Sequence, residues 1–197
     1  MPKKLSRGPT ILVLGLILGQ LSTGHTAQTT PPDEPIPVPS RLEMAAHQRL
    51  VEVMQDSHHQ PSPFVTDGCS GGLSVAWTTV SNLVPGFAAV HRANPPWEGC
   101  CVTHDRAYHN AAGTKAAAAS YRERLAADEL LRSCVLETGK QRTEALTQRY
   151  PMTGAQVEQL YGFIAQAMFD AVRLGGGPCS GLPWRWGYGY PGCLWGE

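Results

Sequence analysis

The chain has 197 residues, enough for one domain of common size, and 16 basic residues balance 16 acidic ones. Lys3, Lys4 and Arg7 lie in the first 27 residues; without that segment 13 basic residues face 16 acidic ones, a net charge of −3. A slightly acidic protein lacks the basic face that binds nucleic acid. It also lacks the broad cationic surface that drives tight binding to anionic membranes.

Residues 1–27 have the pattern of a secretory signal peptide. Basic residues precede an apolar run from Ile11 to Leu18, which is too short to span a bilayer comfortably. Small residues permit cleavage after Gly24 or after Ala27, and the pattern does not choose between them. We therefore expect a secreted or periplasmic protein, in preference to one held by an uncleaved N-terminal anchor.

A leader rich in proline and threonine follows at 28–40, and we expect it to be extended. The remaining residues, 41–197, are expected to form one mainly α domain, since no repeat or second domain is evident. A loop is expected at 58–73 and broken apolar pieces at 74–99. Helical spacing of apolar residues and stop signals such as Gly139 predict helices at about 41–57, 97–112, 115–138 and 154–174.

All six cysteines follow the expected signal peptide, and an even count in that context predicts three disulfides. Spacing alone does not fix the pairing. Because neighbouring side chains diverge on a helix, Cys100 and Cys101 are expected to join two different elements rather than each other.

The most informative segment is Cys100-Cys101-Val102-Thr103-His104-Asp105-Arg106-Ala107-Tyr108. On a helix, His104 and Tyr108 are four residues apart and share a face. Asp105 is turned from His104 by about 100°. This pattern indicates a base and a metal ligand that serve one substrate from neighbouring directions.

With its neighbours, this segment resembles the secreted phospholipase A2 superfamily. Members have a Cys-Cys-x-x-His-Asp-x-x-Tyr helix, and a second helix with an Asp six residues before a Cys, as Asp128 and Cys134 are here. Asp67-Gly68-Cys69-Ser70-Gly71-Gly72 is similar to the family's calcium loop. The resemblance covers about residues 66–135 and implies a disulfide-stapled fold with two antiparallel long helices and a calcium-binding loop.

The resemblance also implies catalytic roles. His104 would be the general base that deprotonates a water attacking the sn-2 ester of a phospholipid, and a histidine titrates in a suitable range. Asp128 would accept a hydrogen bond from the other ring nitrogen, and Tyr108 would hold Asp128. The expected partner is a phospholipid membrane surface, with no nucleic acid and no protein partner.

The implied cofactor is Ca²⁺, bound by the Asp105 carboxylate and by the backbone carbonyls of Gly68, Ser70 and Gly72. Calcium takes such oxygen ligands. The implied disulfides are Cys69–Cys101, Cys100–Cys134 and, by what is left, Cys179–Cys193. The well-known members have a Cys-x-Cys-Gly loop and more cysteines, so this chain looks more like the short-bridged bacterial and fungal forms. Asp67 could join the calcium shell or cap the loop.

Other interpretations compete with catalysis. A non-catalytic lipid-binding or protein-binding module on the same fold typically loses the calcium aspartate or the histidine, and both are present here. A structural zinc site at Cys100, Cys101 and His104 is disfavoured because adjacent cysteines lack zinc-motif spacing. Three tryptophans of the tail have two equally favoured interpretations: they either lie at a membrane interface or fill the core. They are Trp184, Trp186 and Trp195. Surface positions are expected for His58, His59, His91 and His109.

Overall fold

The computed structural model describes residues 38–69, 72–84 and 86–194. The expected signal peptide, nearly all of the leader, Ser70 and Trp195 lie outside these residues. Within them the chain is mainly helical, as expected, and has no strand. The helices are α1 (Val38–Gln55), α2 (Gly72–Leu83), α3 (Phe87–His91), α4 (Glu98–His109), α5 (Ala117–Arg149) and α6 (Gly154–Gly175), with a 3-10 turn at Ala111–Gly113.

Helix α5 is the centre of the fold, and α1, α4 and α6 each run antiparallel to it. Along α4, Cys100 is joined to Cys134 while His104 meets Asp128, so rising numbers on one helix face falling numbers on the other. The same antiparallel order holds for α1, where Glu43 meets Arg124 and His47 meets Ser120. It also holds for α6, whose residues contact α5 at falling residue numbers as their own numbers rise. Three helices therefore bring side chains to one level of α5.

Helix α5 does not end at Gly139 as the sequence predicts, but continues to Arg149. Gly139 serves close packing instead of termination. A Cβ atom at this position would lie 2.4 Å from Cγ of Tyr161, so only glycine lets the ring of α6 approach. The extra turns carry Arg142, which donates to the Tyr161 hydroxyl at 3.0 Å.

Two helices lie where the sequence analysis expects irregular structure. Helix α2 and the short α3 occupy 72–83 and 87–91. The α2 sequence is rich in serine, threonine and valine, which have modest helix propensity, so its pattern is weak. Its stability comes from packing, since Trp77 makes edge contacts with Phe87 and Trp97.

The other helix boundaries agree closely with expectation. Helix α1 begins at Val38, with Pro39 in the first turn, where the missing N–H is not needed. Helix α6 begins with a capping box, in which the Thr153 side chain accepts from the Gln156 N–H and the Gln156 side chain accepts from the Thr153 N–H.

Three disulfides fix the ends of this arrangement. They are Cys69–Cys101, Cys100–Cys134 and Cys179–Cys193, the same pairs that the resemblance implies. Every cysteine of the described chain is bonded, so a zinc site made of Cys100 and Cys101 thiolates is wrong. Three disulfides also suggest an oxidising environment. Within the described ranges, none of the helices combines the length and apolar composition that crossing a bilayer requires.

In the described part of the chain, apolar side chains form two clusters, one on each side of the buried polar residues on α4 and α5. The first lies between α4, α5 and α6 and includes Trp97, Leu131 and Tyr161. The second lies where α1, α4, α5 and the C-terminal tail meet, and includes Leu50 and Trp186. Both clusters exclude water from the polar contacts between them.

Candidate active site

Helices α4 and α5 bring His104, Tyr108 and Asp128 together, an arrangement that the resemblance implies. His104 is 7% exposed, Tyr108 1% and Asp128 0%. A carboxylate with no exposure must be paired or strongly hydrogen-bonded, because leaving its charge unsolvated is costly. The buried Asp128 carboxylate therefore requires hydrogen-bond donors or positive charges around it.

The two ring nitrogens of His104 have different surroundings. Nε2 lies 2.8 Å from Oδ1 of Asp128, and the Tyr108 hydroxyl donates to the same oxygen at 2.6 Å. Because a carboxylate only accepts, the neutral imidazole carries its proton on Nε2 and leaves a lone pair on Nδ1. Nδ1 lies on the side of Asp105, 4.0 Å from its Oδ1.

The electrostatics match these roles. Burial alone would lower the pKa of His104, but the Asp105 and Asp128 carboxylates more than offset it, so the pKa is raised above 6.5. Burial, opposed by Arg124 and assisted by Asp128, raises the pKa of Tyr108 well above its ordinary value. Tyr108 is therefore a neutral hydroxyl donor at any physiological pH.

The second oxygen of Asp128 has a partner that the sequence analysis misses. Arg173, near the end of α6, donates from Nη1 to Oδ2 at 3.1 Å and from Nη2 to the two Glu43 oxygens at 2.9 and 3.1 Å. Arg124 on α5 also pairs with Glu43, and its Nε donates to the Tyr108 hydroxyl at 3.2 Å. Two carboxylates and two guanidinium groups thus form one cluster, buried at Arg124 and Asp128 and partly exposed at Glu43 and Arg173. We call it the Glu43–Arg124–Asp128–Arg173 cluster.

Only Arg124 had a usable signal in the sequence. It stands four residues before Asp128, so both lie on one face of α5, and an inward carboxylate predicts an inward cation there. Helical spacing predicts one stripe on α5 through Tyr121, Leu125, Asp128, Arg132 and Val135. Asp128 and Val135 are buried as that stripe predicts, whereas Tyr121, Leu125 and Arg132 are half-buried; the buried face also includes Ser120, Arg124, Ala127 and Leu131. Glu43 and Arg173 come from distant helices, and no local pattern points to them.

A cavity of about 240 Å³ opens beside Asp105. Its wall consists of Val65, Thr66, Asp67, Asp105, Pro183, Trp184 and Tyr188. The Thr66 hydroxyl donates to Oδ2 of Asp105 at 2.6 Å, and the Tyr188 hydroxyl donates to the Val65 carbonyl at 2.7 Å. Burial and the nearby charges of Asp105 and Asp67 raise the pKa of Tyr188 to about 12.

The donor atoms at this cavity suit a hard cation. Asp67 and Asp105 bring two carboxylates to it, and Gly68 adopts the left-handed φ of 70° that turns the loop. Within the described ranges, no group of three or more His, Cys, Asp and Glu side chains is arranged to hold a metal ion, so carbonyl oxygens would have to complete a shell. Gly72 is the first residue of α2, and Ser70 lies outside the described residues.

The C-terminal tail forms the far wall of the cavity and covers the end of α4. The Gly187 and Gly189 N–H groups donate to the carbonyls of Tyr108 and His109 at 2.6 and 2.8 Å. Trp186 is fully buried, whereas Trp184 is 37% exposed and lines the cavity. The tail therefore plugs the core with one tryptophan and shapes the cavity with another.

His109 is not the surface residue that the sequence predicts. It is 7% exposed and makes edge contacts with Phe64 and Tyr188. The tail is the reason, since it folds back over the end of α4, where helical periodicity alone predicts solvent.

Comparison with known proteins finds no matching family model, no matching curated protein and no matching solved structure. The functional argument therefore depends on the site's own chemistry.

Proposed function

We propose that the protein is a secreted or periplasmic, calcium-dependent phospholipase A2, which hydrolyses the sn-2 ester of phospholipids at a membrane surface. The observation that carries this proposal is the unequal environment of the His104 ring. One nitrogen is fixed by a buried carboxylate, and the other lies 4.0 Å from Oδ1 of Asp105, a residue that lines the cavity.

His104 would act as the general base. Its Nδ1 lone pair takes a proton from a water molecule as the water attacks the ester carbonyl, and the imidazolium later returns that proton to the leaving alcohol. Asp128 stabilises the imidazolium and keeps the ring from turning, as the buried aspartate does in a hydrolase triad. Tyr108 keeps Oδ1 of Asp128 aimed at Nε2.

Asp105 and the carbonyl of Gly68 would hold Ca²⁺, and Asp67 would offer a further carboxylate at the same cavity. The carbonyls of Ser70 and Gly72 are predicted from the resemblance to complete the ligand set. When bound, the ion supplies positive charge beside the ester carbonyl and the phosphate. Thr66 orients Asp105 through its hydrogen bond to Oδ2. Pro183 and Trp184 offer an apolar wall on which an acyl chain can pack.

The proposal is tested with purified, oxidised protein on phosphatidylcholine vesicles labelled at the sn-2 acyl chain. Fatty-acid release is followed with Ca²⁺ and with chelator, for the natural sequence and for His104→Gln. His58→Gln is the matched control, because His58 is exposed and is not among the residues that line the cavity. We expect release that requires both Ca²⁺ and His104 and is unchanged in the control.

Other outcomes contradict parts of the proposal. Release that persists in chelator would overturn the calcium assignment while retaining His104. Absence of release from phosphatidylcholine, phosphatidylglycerol and phosphatidylethanolamine vesicles, with vesicle binding intact, would favour the second candidate, a non-catalytic lipid-binding or protein-binding module. The presence of both Asp105 and His104 speaks for the enzyme.

A further inference from the structure

The geometry points to Arg173 as a positioning residue that locks the Asp128 carboxylate, and through it the His104 ring, by tying Oδ2 of Asp128 to Glu43 of α1. As a statement about a reaction, this inference rests on the function proposed above. Its structural content, a locked imidazole, can be measured without any substrate.

The oxygens of Asp128 are divided between two tasks. Oδ1 receives His104 Nε2 and the Tyr108 hydroxyl, at 2.8 and 2.6 Å. Oδ2 receives Arg173 Nη1 at 3.1 Å. A carboxylate held at one oxygen can still rotate about its terminal bond, whereas one held at both oxygens cannot do so without breaking a charge-assisted hydrogen bond.

Arg173 is itself held from the opposite side. Its Nη2 donates to both Glu43 oxygens, at 2.9 and 3.1 Å, so the guanidinium spans two carboxylates in a single plane. Lysine lacks this fork and presents one point charge. The side chains of Arg173 and Glu43 are each 20% exposed, which places the bridge at the edge of the buried site.

Arg124 does not duplicate this contact. Its Nε lies 4.0 Å from Oδ2 of Asp128, beyond hydrogen-bond distance. Its donors go instead to the Tyr108 hydroxyl, to Glu43 and to the carbonyls of Val172 and Arg173 at 2.7 and 2.9 Å. Arg124 therefore hydrogen-bonds two of the last carbonyls of α6 and so helps to place Arg173. Among the described residues, only Arg173 hydrogen-bonds Oδ2 of Asp128.

The charge count explains why both ends are needed. Asp128 and Glu43 carry two negative charges, and Arg124 and Arg173 carry two positive ones, so the buried cluster is neutral. An arginine on Asp128 without Glu43 would withdraw negative charge from the partner of His104. With Glu43 present, Arg173 shares its charge between two carboxylates and acts mainly through geometry.

The test uses the full oxidised chain with ¹⁵N-labelled histidine, at one fixed, mildly alkaline pH. His104→Asn assigns the His104 signals, and the tautomer and the solvent exchange of the Nε2 proton are compared in Arg173→Gln and Arg173→Lys. The matched control is Arg132→Gln, because Arg132 also links α5 to α6, through Gln166 and the Phe169 ring, without touching Asp128.

We expect one Nε2–H tautomer with a slowly exchanging proton in the natural sequence and in the control. In Arg173→Gln the proton should exchange at least tenfold faster and the second tautomer should appear, with Arg173→Lys in between. In the hydrolysis assay, kcat should fall about tenfold in Arg173→Gln while KM changes less than twofold.

Tautomer and exchange unchanged from the natural sequence in Arg173→Gln would overturn the inference. If that variant fails to fold, Arg173→Lys decides: unchanged tautomer and exchange in it would overturn the inference equally. If the natural protein hydrolyses no phospholipid, the proposed function fails and the NMR result still decides the role of Arg173.

Discussion

The hydroxyl of Tyr108 and the Oδ1 atom of Asp128 are 2.6 Å apart, and His104 Nε2 shares that oxygen at 2.8 Å. Tyr108 also stacks beside the imidazole, with ring centroids 4.0 Å apart. The Tyr108 side chain thus contacts both the imidazole of His104 and the carboxylate to which that imidazole is hydrogen-bonded.

Tyr108→Phe removes the hydroxyl and keeps the ring. We expect a loss of about 1.5–3 kcal/mol in unfolding free energy, since a hydrogen bond to a buried charge is lost and Arg124 Nε loses its acceptor. Activity should fall several-fold without being abolished. Chemical denaturation and the vesicle assay measure both. Tyr121→Phe is the control, because its ring contacts with His47 and Arg173 survive the change; equal losses in the two variants would contradict the role given to Tyr108.

Glu43 should make stability depend on acid pH. Burial alone would raise its pKa, but His47 and the Arg124 and Arg173 guanidinium groups bring it down to about 2, from an ordinary 4.5. The ionised form therefore stabilises the fold above pH 4.5, and that contribution, at most about 3 kcal/mol, is lost as the pH falls from 4.5 towards 2.

Glu43→Gln should accordingly be less stable at neutral pH and flatter between pH 4.5 and 2. Thermal unfolding at a series of pH values measures this. Glu52→Gln, an exposed change on the same helix, should keep the slope of the natural sequence. A slope in Glu43→Gln as steep as in the natural protein would show that the acid dependence arises elsewhere.

Alanine substitutions at two glycines near the α5–α6 contact should change the free energy of unfolding in opposite directions. At Gly139 the new methyl would lie 2.4 Å from Tyr161 Cγ, so the helices must separate, at a cost of about 1–3 kcal/mol. At Gly162, on α6, nothing lies within 4 Å, and alanine should stabilise by up to about 1 kcal/mol through helix propensity. Denaturant midpoints of the two variants check the prediction, and a stabilising Gly139→Ala would refute the packing argument.

Removing the Cys179–Cys193 bridge should loosen the tail before the helices. The bridge closes a sequence separation of 14 residues, worth about 3 kcal/mol in the chain-entropy model. In Cys179→Ser/Cys193→Ser we expect the Gly187 and Gly189 amides to exchange hydrogen faster, because their bonds to the end of α4 depend on the tail. The α5 amides near Asp128 should be affected less; uniform acceleration throughout the chain would instead indicate global destabilisation.

The sequence predicted the parts of the site that depend on short spacing. His104, Asp105 and Tyr108 lie within one helix whose bounds were expected to within a few residues. Asp128 is buried as helical spacing suggested, although three other residues of its expected stripe are only half-buried. Thr153 and Gln156 form a capping box at the start of α6, and this pair of hydrogen bonds involves only residues three apart in the chain. Periodicity and caps act over a few residues, so they can be read from the chain.

The parts that escaped prediction depend on tertiary contact. Gly139 has the appearance of a helix stop, and only the position of the Tyr161 ring reveals its real function. Charged residues are mostly exposed in proteins, so nothing local in the sequence suggests that Glu43 and Arg173 are partly buried. Their partial burial is explained by the convergence of three helices on Asp128, where each charge meets an opposite one. The calcium ligands and the reaction itself stay predictions, which the vesicle assay addresses directly.

The hydrogen bonds from Gly187 and Gly189 to the last carbonyls of α4 have a consequence for biosynthesis. A chain emerges from the ribosome in sequence order, so His104, Asp105 and Asp128 all precede the tail residues that line the cavity beside Asp105. A nascent chain that stops short of residue 187 would hold His104 and Asp128 beside an open helix end. The cavity is therefore completed late in synthesis, after the helices that carry the chemistry have already been made.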